Sequence, residues 1–374
     1  MPQYRFEEIT INSTEKKKPV EADKDAYLGL EHLDTSCLHV TRWGSEVAPI
    51  GDKLIMRKGD VLFGRRRAYQ KKVAIAPFDG IFSAHGMVLR PRTEVITERF
   101  FPFFISSDYF LDAAINISVG SLSPTINWRD LKELTFNIPP LDEQDALADE
   151  LWAFEDTKEA YNRLMTATDA LVKSQFIEMF GDPRNNTYKW PLETLNGISI
   201  SKLSYGSGAA AEPYDGTVRY IRITDINESG ELNDDVKSPD TYEEKYELHE
   251  GDILFARSGA TVGKTYCHRG GLGSCVYAGY LIRLVPDRTK VLPAYVFYYT
   301  KSDYYNEFVA LNQRTVAQPN INAQQYGELQ ICIPPLELQN RFAAFVESTD
   351  KSKFATGRNS QKVKTASTAG SITI

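Results

Sequence analysis

The residues best suited to contact an anionic polymer lie in one short basic segment. Between Lys53 and Lys72 the sequence carries eight basic residues and a single acid, Asp60. Guanidinium forks pair with guanine or phosphate, and a neighbouring aromatic ring and amide can read adenine. The candidates that share this chemistry are Arg65, Arg66, Arg67, Tyr69, Gln70, Lys71 and Lys72. The segment predicts a nucleic-acid contact, and the alternative is a solvated basic edge of a hairpin.

Patterns that would support nucleotide or methyl-transfer chemistry are incomplete. The stretch Gly259–Thr265 is one residue shorter than the P-loop pattern GxxxxGK[ST], and a P-loop needs that length to wrap its amides around phosphate. A glycine-rich loop between two strands is the alternative. Asn137–Pro140 is only superficially similar to the catalytic loop of adenine methyltransferases, because no aromatic residue follows to stack on the base. The paired prolines are better explained as the start of a helix.

Metal and triad chemistry are not supported either. Pro239, Asp240 and the stretch Glu243–Lys245 are too close together for the two strands of a PD…ExK nuclease. The five histidines show neither HExxH spacing nor a local Ser or Asp arrangement. The four cysteines share no CxxC spacing, which predicts reduced, buried thiols rather than a disulfide framework or a zinc site. We therefore expect no catalytic residue and no metal ion in this chain.

Composition predicts a folded cytoplasmic protein. With 374 residues, 42% hydrophobic and 11% aromatic, the chain has enough apolar sequence for two or three domains. The N-terminal residues contain no signal-peptide-like apolar run. No segment approaches the roughly 18 apolar residues of a membrane span.

The net charge of −7 is unevenly distributed. Residues 1–140 carry +1, residues 141–182 carry −8, residues 183–335 carry −3 and residues 336–374 carry +3. Most of the acidity therefore belongs to the central segment. A local basic field in the first segment can hold phosphates although the whole molecule is acidic.

The elements that must position these residues are organised around one long predicted helix. Leu141–Phe180 follows two prolines, contains no Gly or Pro and ends at Gly181. About 40 residues at roughly 1.5 Å rise give a rod of about 60 Å, which is long for a helix inside one domain. Apolar residues at alternating steps of four and three predict a seam for a second helix. The seam residues are Leu147, Leu151, Phe154, Tyr161, Met165 and Val172.

The first 140 residues predict an α+β domain with an irregular sheet. Short apolar runs bounded by Gly, Pro and Asp predict strands, and a Phe-rich piece around Glu98–Ile115 predicts a helix. The predicted strands are Tyr27–Leu30, Asp60–Phe63, Val73–Ala76 and Met87–Leu89.

The chain then repeats itself. Four matches occur in the same order in both halves. The offset is 192 residues at the first match and 195 at the others, so the two copies stay in register apart from one insertion of about three residues. The matches pair Gly59–Phe63 with Gly251–Phe255, Ser107–Tyr109 with Ser302–Tyr304, Pro124–Asn127 with Pro319–Asn322, and Ile138–Leu141 plus Gln144 with Ile333–Leu336 plus Gln339. The repeat indicates either duplication without shared function or two versions of one binding domain, each followed by a helix.

The second copy has different chemistry at the basic loop. Its candidates for nucleic-acid contact are Arg257, Ser258, Lys264 and Arg314. Its helix aligns Phe342 and Val346 with Leu147 and Leu151, but Gly357, Asn359 and Ser360 then interrupt the pattern. We expect a short distal helix at 336–355 and a disordered tail at 356–374.

These features together resemble the specificity (S) subunits of type I restriction-modification enzymes. The resemblance rests on the duplicated GD[VI]LF strand, the two I-P-P-L-x-x-Q helix starts, the stretch Ser174–Asp182 that closes the long helix, and the loop from Arg257 to Thr265. It covers about residues 1–355. It implies target-recognition domains at 1–140 and 183–335, with the spacer helix at 141–182 between them.

The resemblance also implies the function and the partners. Each recognition domain would read one half of a split double-stranded DNA site, and the helices would pack as an antiparallel coiled coil that sets the gap. Methyltransferase subunits would dock on the helices, bind S-adenosylmethionine and methylate adenine, while a restriction and translocase subunit would cut. The chain itself would be non-catalytic and bind no cofactor.

The short distal helix departs from the family pattern, in which the second helix is as long as the first. It puts the full coiled coil and symmetric methyltransferase docking in doubt, and it allows pairing with a second copy of the chain through the unmatched half of the long helix. An alternative function is a scaffold whose duplicated domains bind proteins without DNA sequence preference.

Overall fold

The computed structural model describes residues 1–35, 37–313 and 320–351. Two α+β units make up this part of the chain, and the boundary between them lies between Ala160 and Tyr161. No helix among the described residues is long and apolar enough to cross a membrane. The mixed architecture confirms the predicted fold class. The recognition-domain bounds 1–140 and 183–335 stay a prediction.

Ten short strands and four short helices precede the long helix. The strands are β1 (Gln3–Arg5), β2 (Thr10–Ser13), β3 (Lys16–Lys17), β4 (Tyr27–Leu28), β5 (Lys53–Met56), β6 (Val61–Phe63), β7 (Val73–Ile75), β8 (Gly80–Phe82), β9 (Met87–Pro91) and β10 (Thr135–Asn137). The helices are α1 (Phe6–Ile9), α2 (Phe101–Ser106), α3 (Asp108–Asn116) and α4 (Trp128–Leu131). The long helix is α5 (Leu141–Phe180), with the bounds predicted from its flanking prolines and glycine.

The second unit contains an equivalent set of elements after α5. Its strands are β11 (Leu192–Thr194), β12 (Ser204–Tyr205), β13 (Ala211–Pro213), β14 (Val218–Ile221), β15 (Lys237–Pro239), β16 (Ile253–Ala256), β17 (Thr265–Cys267), β18 (Ser274–Tyr277), β19 (Leu281–Leu284) and β20 (Gln330–Cys332). Its helices are α6 (Pro293–Tyr299), α7 (Asp303–Gln313) and α8 (Ala323–Gly327), followed by a distal helix from 336 to the last described residue, 351.

Strand pairing confirms the duplication. The first unit has a four-stranded sheet of order β2-β9-β6-β7, and the second has β12-β19-β16-β17. The pairs β1–β10, β3–β5 and β4–β8 recur as β11–β20, β13–β15 and β14–β18, and the last pair is parallel in both units. The register also repeats, since Val61 pairs with Ile75 in one unit and Ile253 with Cys267 in the other.

One predicted helix is divided in the structure. The Phe-rich piece expected over Glu98–Ile115 forms α2 and α3, which meet at Ser107. Ser107 has extended backbone angles (φ −70°, ψ 148°) and its hydroxyl accepts a hydrogen bond from the Phe110 N–H. Ser107 therefore caps a new helix, a role that hydroxyl side chains favour and that periodicity alone does not reveal.

Each unit buries its own part of α5. In the first unit, Ala148 is buried, and Leu147 and Leu151 pack against a core rich in phenylalanine. In the second unit, the rings of Phe176 and Phe180 lie 5.5 and 5.3 Å from that of Phe342 on the distal helix. Val172 and Val346 belong to the same core. The predicted seam residues Phe154, Tyr161 and Met165 are half-buried.

A buried glutamine holds the start of α5. Gln144 is fully buried, and its Oε1 accepts a hydrogen bond of 2.8 Å from the Thr97 N–H. Its Nε2 donates to the carbonyls of Val95 and Pro139 at 2.9 and 2.8 Å. One side chain thus ties the first helical turn to the segment that precedes α2.

The same clamp recurs in the second unit. Gln339 is also fully buried, and its Oε1 accepts a hydrogen bond of 2.8 Å from the Leu292 N–H. Its Nε2 donates to the carbonyls of Lys290 and Pro334 at 3.1 and 2.8 Å. The structure therefore gives the physical reason for the repeated I-P-P-L-x-x-Q pattern: the glutamine satisfies three backbone groups that lie away from water.

Gln144→Leu is expected to lower the free energy of unfolding of the first unit by about 2–4 kcal/mol. The apolar side chain leaves one N–H and two carbonyls buried without partners. The measurement is chemical denaturation together with amide hydrogen exchange at Thr97, whose protection should fall.

Gln324→Leu is the control, because this glutamine lies exposed on α8 and its side chain donates to exposed Glu328. We expect a change within about 0.5 kcal/mol for it. Equal stability of the Gln144 variant and the unaltered protein would contradict the clamp.

Candidate nucleic-acid interface

The C-terminal part of the basic segment forms the loop between β6 and β7. We call residues 64–72 the first basic loop. The Gly64 N–H donates to the Lys72 carbonyl at 2.9 Å and closes the loop at its base. The Arg65 carbonyl accepts a hydrogen bond of 2.9 Å from the Ile126 N–H, and Arg66 forms a backbone bridge with Thr125. These contacts fix the loop against the chain that precedes α4.

The side chains of Arg65 and Arg66 form a positive cluster beside His85. Arg66 Nη1 lies 3.3 Å from His85 Nε2, and Arg65 reaches toward the Ala84 carbonyl at 3.4 Å. The pKa of His85 is lowered, first by burial and then by the charges of Arg66, Arg65 and Lys53. A positive field that discourages protonation of a histidine also attracts phosphate.

Arg67 and Tyr69 are exposed beside this cluster, and Gln70 is half-buried. An exposed guanidinium and an exposed phenol on one loop suit contacts to a phosphate and a base. The loop therefore combines a backbone fixed by hydrogen bonds with polar side chains that face solvent.

The two lysines of the loop are half-buried and bond to the protein itself. Lys71 forms ion pairs with Asp108 at 2.6 Å and Asp112 at 2.8 Å, and these partners raise its pKa. Lys72 Nζ donates to the Leu30 carbonyl at 2.6 Å. Their contact with nucleic acid stays a prediction, and their observed role is to anchor the loop.

The second unit carries the equivalent loop between β16 and β17, residues 257–264, which we call the second basic loop. The Arg257 carbonyl accepts a hydrogen bond of 2.8 Å from the Ile321 N–H, and Ser258 forms a backbone bridge with Asn320. These contacts match those of Arg65 and Arg66. The two loops thus share one backbone framework.

The side chains on this framework differ. The Arg257 guanidinium lies 4.7 Å from the centre of the Tyr205 ring, and its Nε donates to Asn320 Oδ1 at 3.3 Å. Ser258 replaces Arg66 and is half-buried. Tyr205 is exposed and was not predicted, because it lies far from Arg257 in sequence and no local pattern marks it.

The second basic loop is not a P-loop. Its short 3₁₀ turn at Gly259–Thr261 lies between two strands, as the alternative interpretation predicted. Lys264 Nζ donates to the Ile226 carbonyl at 3.3 Å and pairs with Glu228 at 3.1 Å, so the lysine anchors the loop as Lys72 does in the first unit. Arg314, the remaining candidate, lies outside the described residues.

Two positions of each loop have left-handed backbone angles. Gly259 and Gly263 have φ of +67° and +90°, and at the equivalent positions Arg67 and Lys71 have φ of +54° and +47°. Left-handed backbone is unfavourable for residues with a Cβ and free for glycine. The first unit therefore has Arg67 and Lys71 in a strained backbone conformation at positions where the second unit has glycine. Backbone strain of this kind is typical of a functional loop.

The rejected catalytic patterns are structural features. Asn137–Pro140 runs from β10 into the start of α5, as the helix-start interpretation predicted. Glu243, Glu244 and Lys245 form an exposed turn, and Lys245 pairs with Glu243 at 2.7 Å. Within residues 1–35, 37–313 and 320–351, no group of three or more His, Cys, Asp or Glu side chains is placed to hold a metal ion.

The second unit also contains a mainly apolar cavity of about 820 Å³. Cys267 of β17, Tyr298 of α6 and Val346 of the distal helix line it. In the first unit the outer side of β7 is covered instead, because the Ile75 N–H donates to the carbonyl of buried Leu38 at 2.9 Å. The two copies therefore differ in what lies beside the equivalent strands β7 and β17, while they share the backbone of their loops.

Arg67→Gly is expected to raise the free energy of unfolding by roughly 1 kcal/mol relative to Arg66→Gly. Glycine adds freedom to the unfolded chain at both positions, but it relieves left-handed strain at position 67 alone. Both variants lose one guanidinium, so the charge change is matched. Thermal and denaturant unfolding measure the difference, and equal stability of the two variants would refute strain at Arg67.

Comparison with known proteins places these loops in a family. The sequence model of the type I restriction modification DNA specificity domain matches residues 39–166 and 209–364, one segment for each copy of the repeat. The chain is 26% identical over 201 residues to the type I restriction enzyme EcoDI specificity subunit of Escherichia coli. That alignment covers 52% of this chain and 44% of the relative, so it spans less than half the length of that protein.

One solved structure of this class shares the fold. The S subunit of a type I restriction-modification system from M. genitalium has a TM-score of 0.55 and 14% identity, with 98% of this chain and 93% of that chain covered. The S subunit (HsdS) of Thermoanaerobacter tengcongensis has a TM-score of 0.37 and 19% identity, with 98% and 94% covered. Because the family pattern matches most of the sequence in two segments, the chain belongs to the type I restriction modification DNA specificity domain family.

Proposed function

We propose that this chain is the non-catalytic, sequence-specific DNA-binding subunit of a type I restriction-modification complex. Each unit reads one half of a bipartite double-stranded DNA site through its basic loop. The observation that carries the proposal is the shared loop framework, in which Arg65 and Arg257 keep one backbone position while Arg66 and Ser258 differ. One framework with two side-chain sets suits two different half-sites.

The electrostatics support DNA as the ligand of the first basic loop. Burial lowers the pKa of His85 most, and the charges of Arg66, Arg65 and Lys53 lower it further, so the loop is locally positive although the chain as a whole carries −7. A local field of this sign binds phosphates, and the exposed side chains of Arg67 and Tyr69 suit base contacts.

The long helix suits protein partners rather than DNA. Residues 141–182 carry a net charge of −8, which repels phosphate. In the proposal, α5 and the distal helix set the gap between half-sites and dock methyltransferase subunits. These subunits bind S-adenosylmethionine and methylate adenine, and a restriction and translocase subunit cuts. The complex works in the cytoplasm, and pairing with a second copy of the chain stays a prediction.

Arg66→Ala is expected to reduce the salt dependence of DNA binding. Loss of one phosphate contact lowers the slope of log affinity against log salt by roughly 0.9. The measurement is a salt titration of the complex with its methyltransferase on DNA that carries the recognised site.

Arg129→Ala is the matched control, because this exposed arginine of α4 lies in the same unit and pairs with Asp130 at 3.1 Å. Its slope should equal that of the unaltered protein. Equal salt slopes for Arg66→Ala and Arg129→Ala would show that Arg66 does not contact a DNA phosphate. Binding without any sequence preference would favour the scaffold alternative.

DNA binding is expected to strengthen as the pH falls. The pKa of free His85 is lowered, and a nearby phosphate raises it, so binding takes up a proton. The affinity gain should develop as the pH falls through the pKa of the bound state and level off below that of the free state. Affinity against pH for the unaltered protein and for His85→Gln measures it, and a pH-dependence that survives in His85→Gln would contradict this role.

A further inference from the structure

A short turn next to the first basic loop is held rigidly by its own backbone. In the turn formed by residues 119–125, the Val119 and Thr125 backbones exchange two hydrogen bonds of 2.9 and 3.0 Å. Gly120 supplies the left-handed angle of the turn at φ +111°, and Thr125 Oγ1 donates to the Ser123 carbonyl at 3.0 Å. The tip therefore has a defined shape.

The turn is also joined to the basic loop. Thr125 forms a backbone bridge with Arg66, and the Pro124 carbonyl accepts a hydrogen bond of 3.3 Å from the Ala68 N–H. These contacts place the tip beside the positive cluster. A ligand bound by Arg66 and Arg67 therefore lies within reach of the 119–125 turn.

The tip exposes apolar side chains. Leu122 is 93% exposed and Val119 is 64% exposed. The neighbours of Leu122 are Ser121 and Ser123, so one large apolar group projects between two small hydroxyl side chains. Single exposed leucines are common on protein surfaces. This leucine differs because a hydrogen-bonded turn presents it next to a cluster suited to phosphate.

We propose that Leu122 is an apolar wedge that inserts at a base step of the half-site bound by the first unit. The proposal rests on the DNA-binding function proposed above. Leucine side chains presented in this way unstack a step and bend the duplex, which opens more surface to the protein. In this proposal the hydroxyls of Ser121 and Ser123 donate to the phosphates that flank the step.

The second copy of the repeat lacks this chemistry. At the aligned positions its sequence has Ala317 in place of Leu122 and Arg314 in place of Val119. Both residues lie outside the described part of the chain, so this comparison is of sequence alone. Alanine is too small to hold a base step open. The wedge therefore distorts only the half-site of the first unit.

The test uses the full chain with its methyltransferase on duplexes that carry its mapped site. 2-Aminopurine, whose fluorescence rises on unstacking, replaces single bases in turn across both half-sites, except each methylated adenine and the bases next to it, because the methyltransferase flips its target adenine out of the stack. We expect a several-fold rise at one step of one half-site and none in the other. Leu122→Ala should abolish the rise and lower affinity about 10-fold, with an unchanged salt slope because no charge is lost.

Two variants control for fold and size. Ile11→Ala removes an apolar side chain that is 44% exposed on strand β2 of the same unit, and it should leave fluorescence and affinity unchanged. Leu122→Met keeps a long apolar group and should retain the rise. If Ile11→Ala also loses the fluorescence rise, the rise does not depend on insertion of Leu122.

The outcomes separate this inference from the proposed function. Tight, sequence-specific binding without a fluorescence rise would overturn the wedge and leave the DNA-binding function standing. A rise that persists in Leu122→Ala would also overturn it. The wedge would also be overturned if no step is unstacked and replacement of a thymine by uracil lowers the affinity. Leu122 would then contact the thymine methyl group instead of entering a base step. Absence of sequence-specific binding by the unaltered complex would instead overturn the proposed function.

Discussion

A single buried side chain in each unit, Gln144 and Gln339, fixes the start of the helix that follows the domain. Each amide satisfies one N–H and two carbonyls at distances between 2.8 and 3.1 Å. Buried backbone groups without partners are costly, so the first turn of the helix cannot shift without breaking all three bonds. The two prolines before each helix contribute fixed backbone angles and carbonyl acceptors. For a protein whose helices are proposed to measure a distance on DNA, a fixed helix start is the first requirement.

The second requirement is a loop whose backbone is constant while its side chains vary. The two basic loops meet it through backbone contacts and one lysine side chain each. The carbonyls of Arg65 and Arg257 accept from the N–H groups of Ile126 and Ile321, and the anchoring lysines Lys72 and Lys264 donate to carbonyls of an earlier turn. Because the side chains at positions 66 and 67 or 258 and 259 take no part in these contacts, substitutions there change recognition chemistry without refolding the loop. The left-handed angle at Arg67 is the exception, since there the side chain is kept against a conformational cost.

Much of this arrangement could be predicted from the sequence because it depends on local or repeated patterns. The bounds of α5 follow from Pro139, Pro140 and Gly181, and the duplication follows from four matches in register. The division of the Phe-rich helix at Ser107 was missed, because hydrophobic spacing continues across the cap. The pairing of Tyr205 with Arg257, the neutralisation of Lys71 by Asp108 and Asp112, and the position of His85 beside Arg66 depend on contacts between distant residues. No single-sequence pattern encodes such contacts, so the chemistry of the interface needed the fold.

The central claim is that two copies of one domain read two separate half-sites. The most direct measurement is to co-express the chain with its methyltransferase and to map methylated adenines across a genome. The account predicts one bipartite sequence with two short specified halves and a gap of constant length. Substitution of Arg66 and Arg67 should relax the sequence of one half and leave the other unchanged. A continuous target, or relaxation of both halves by these substitutions, would contradict the account.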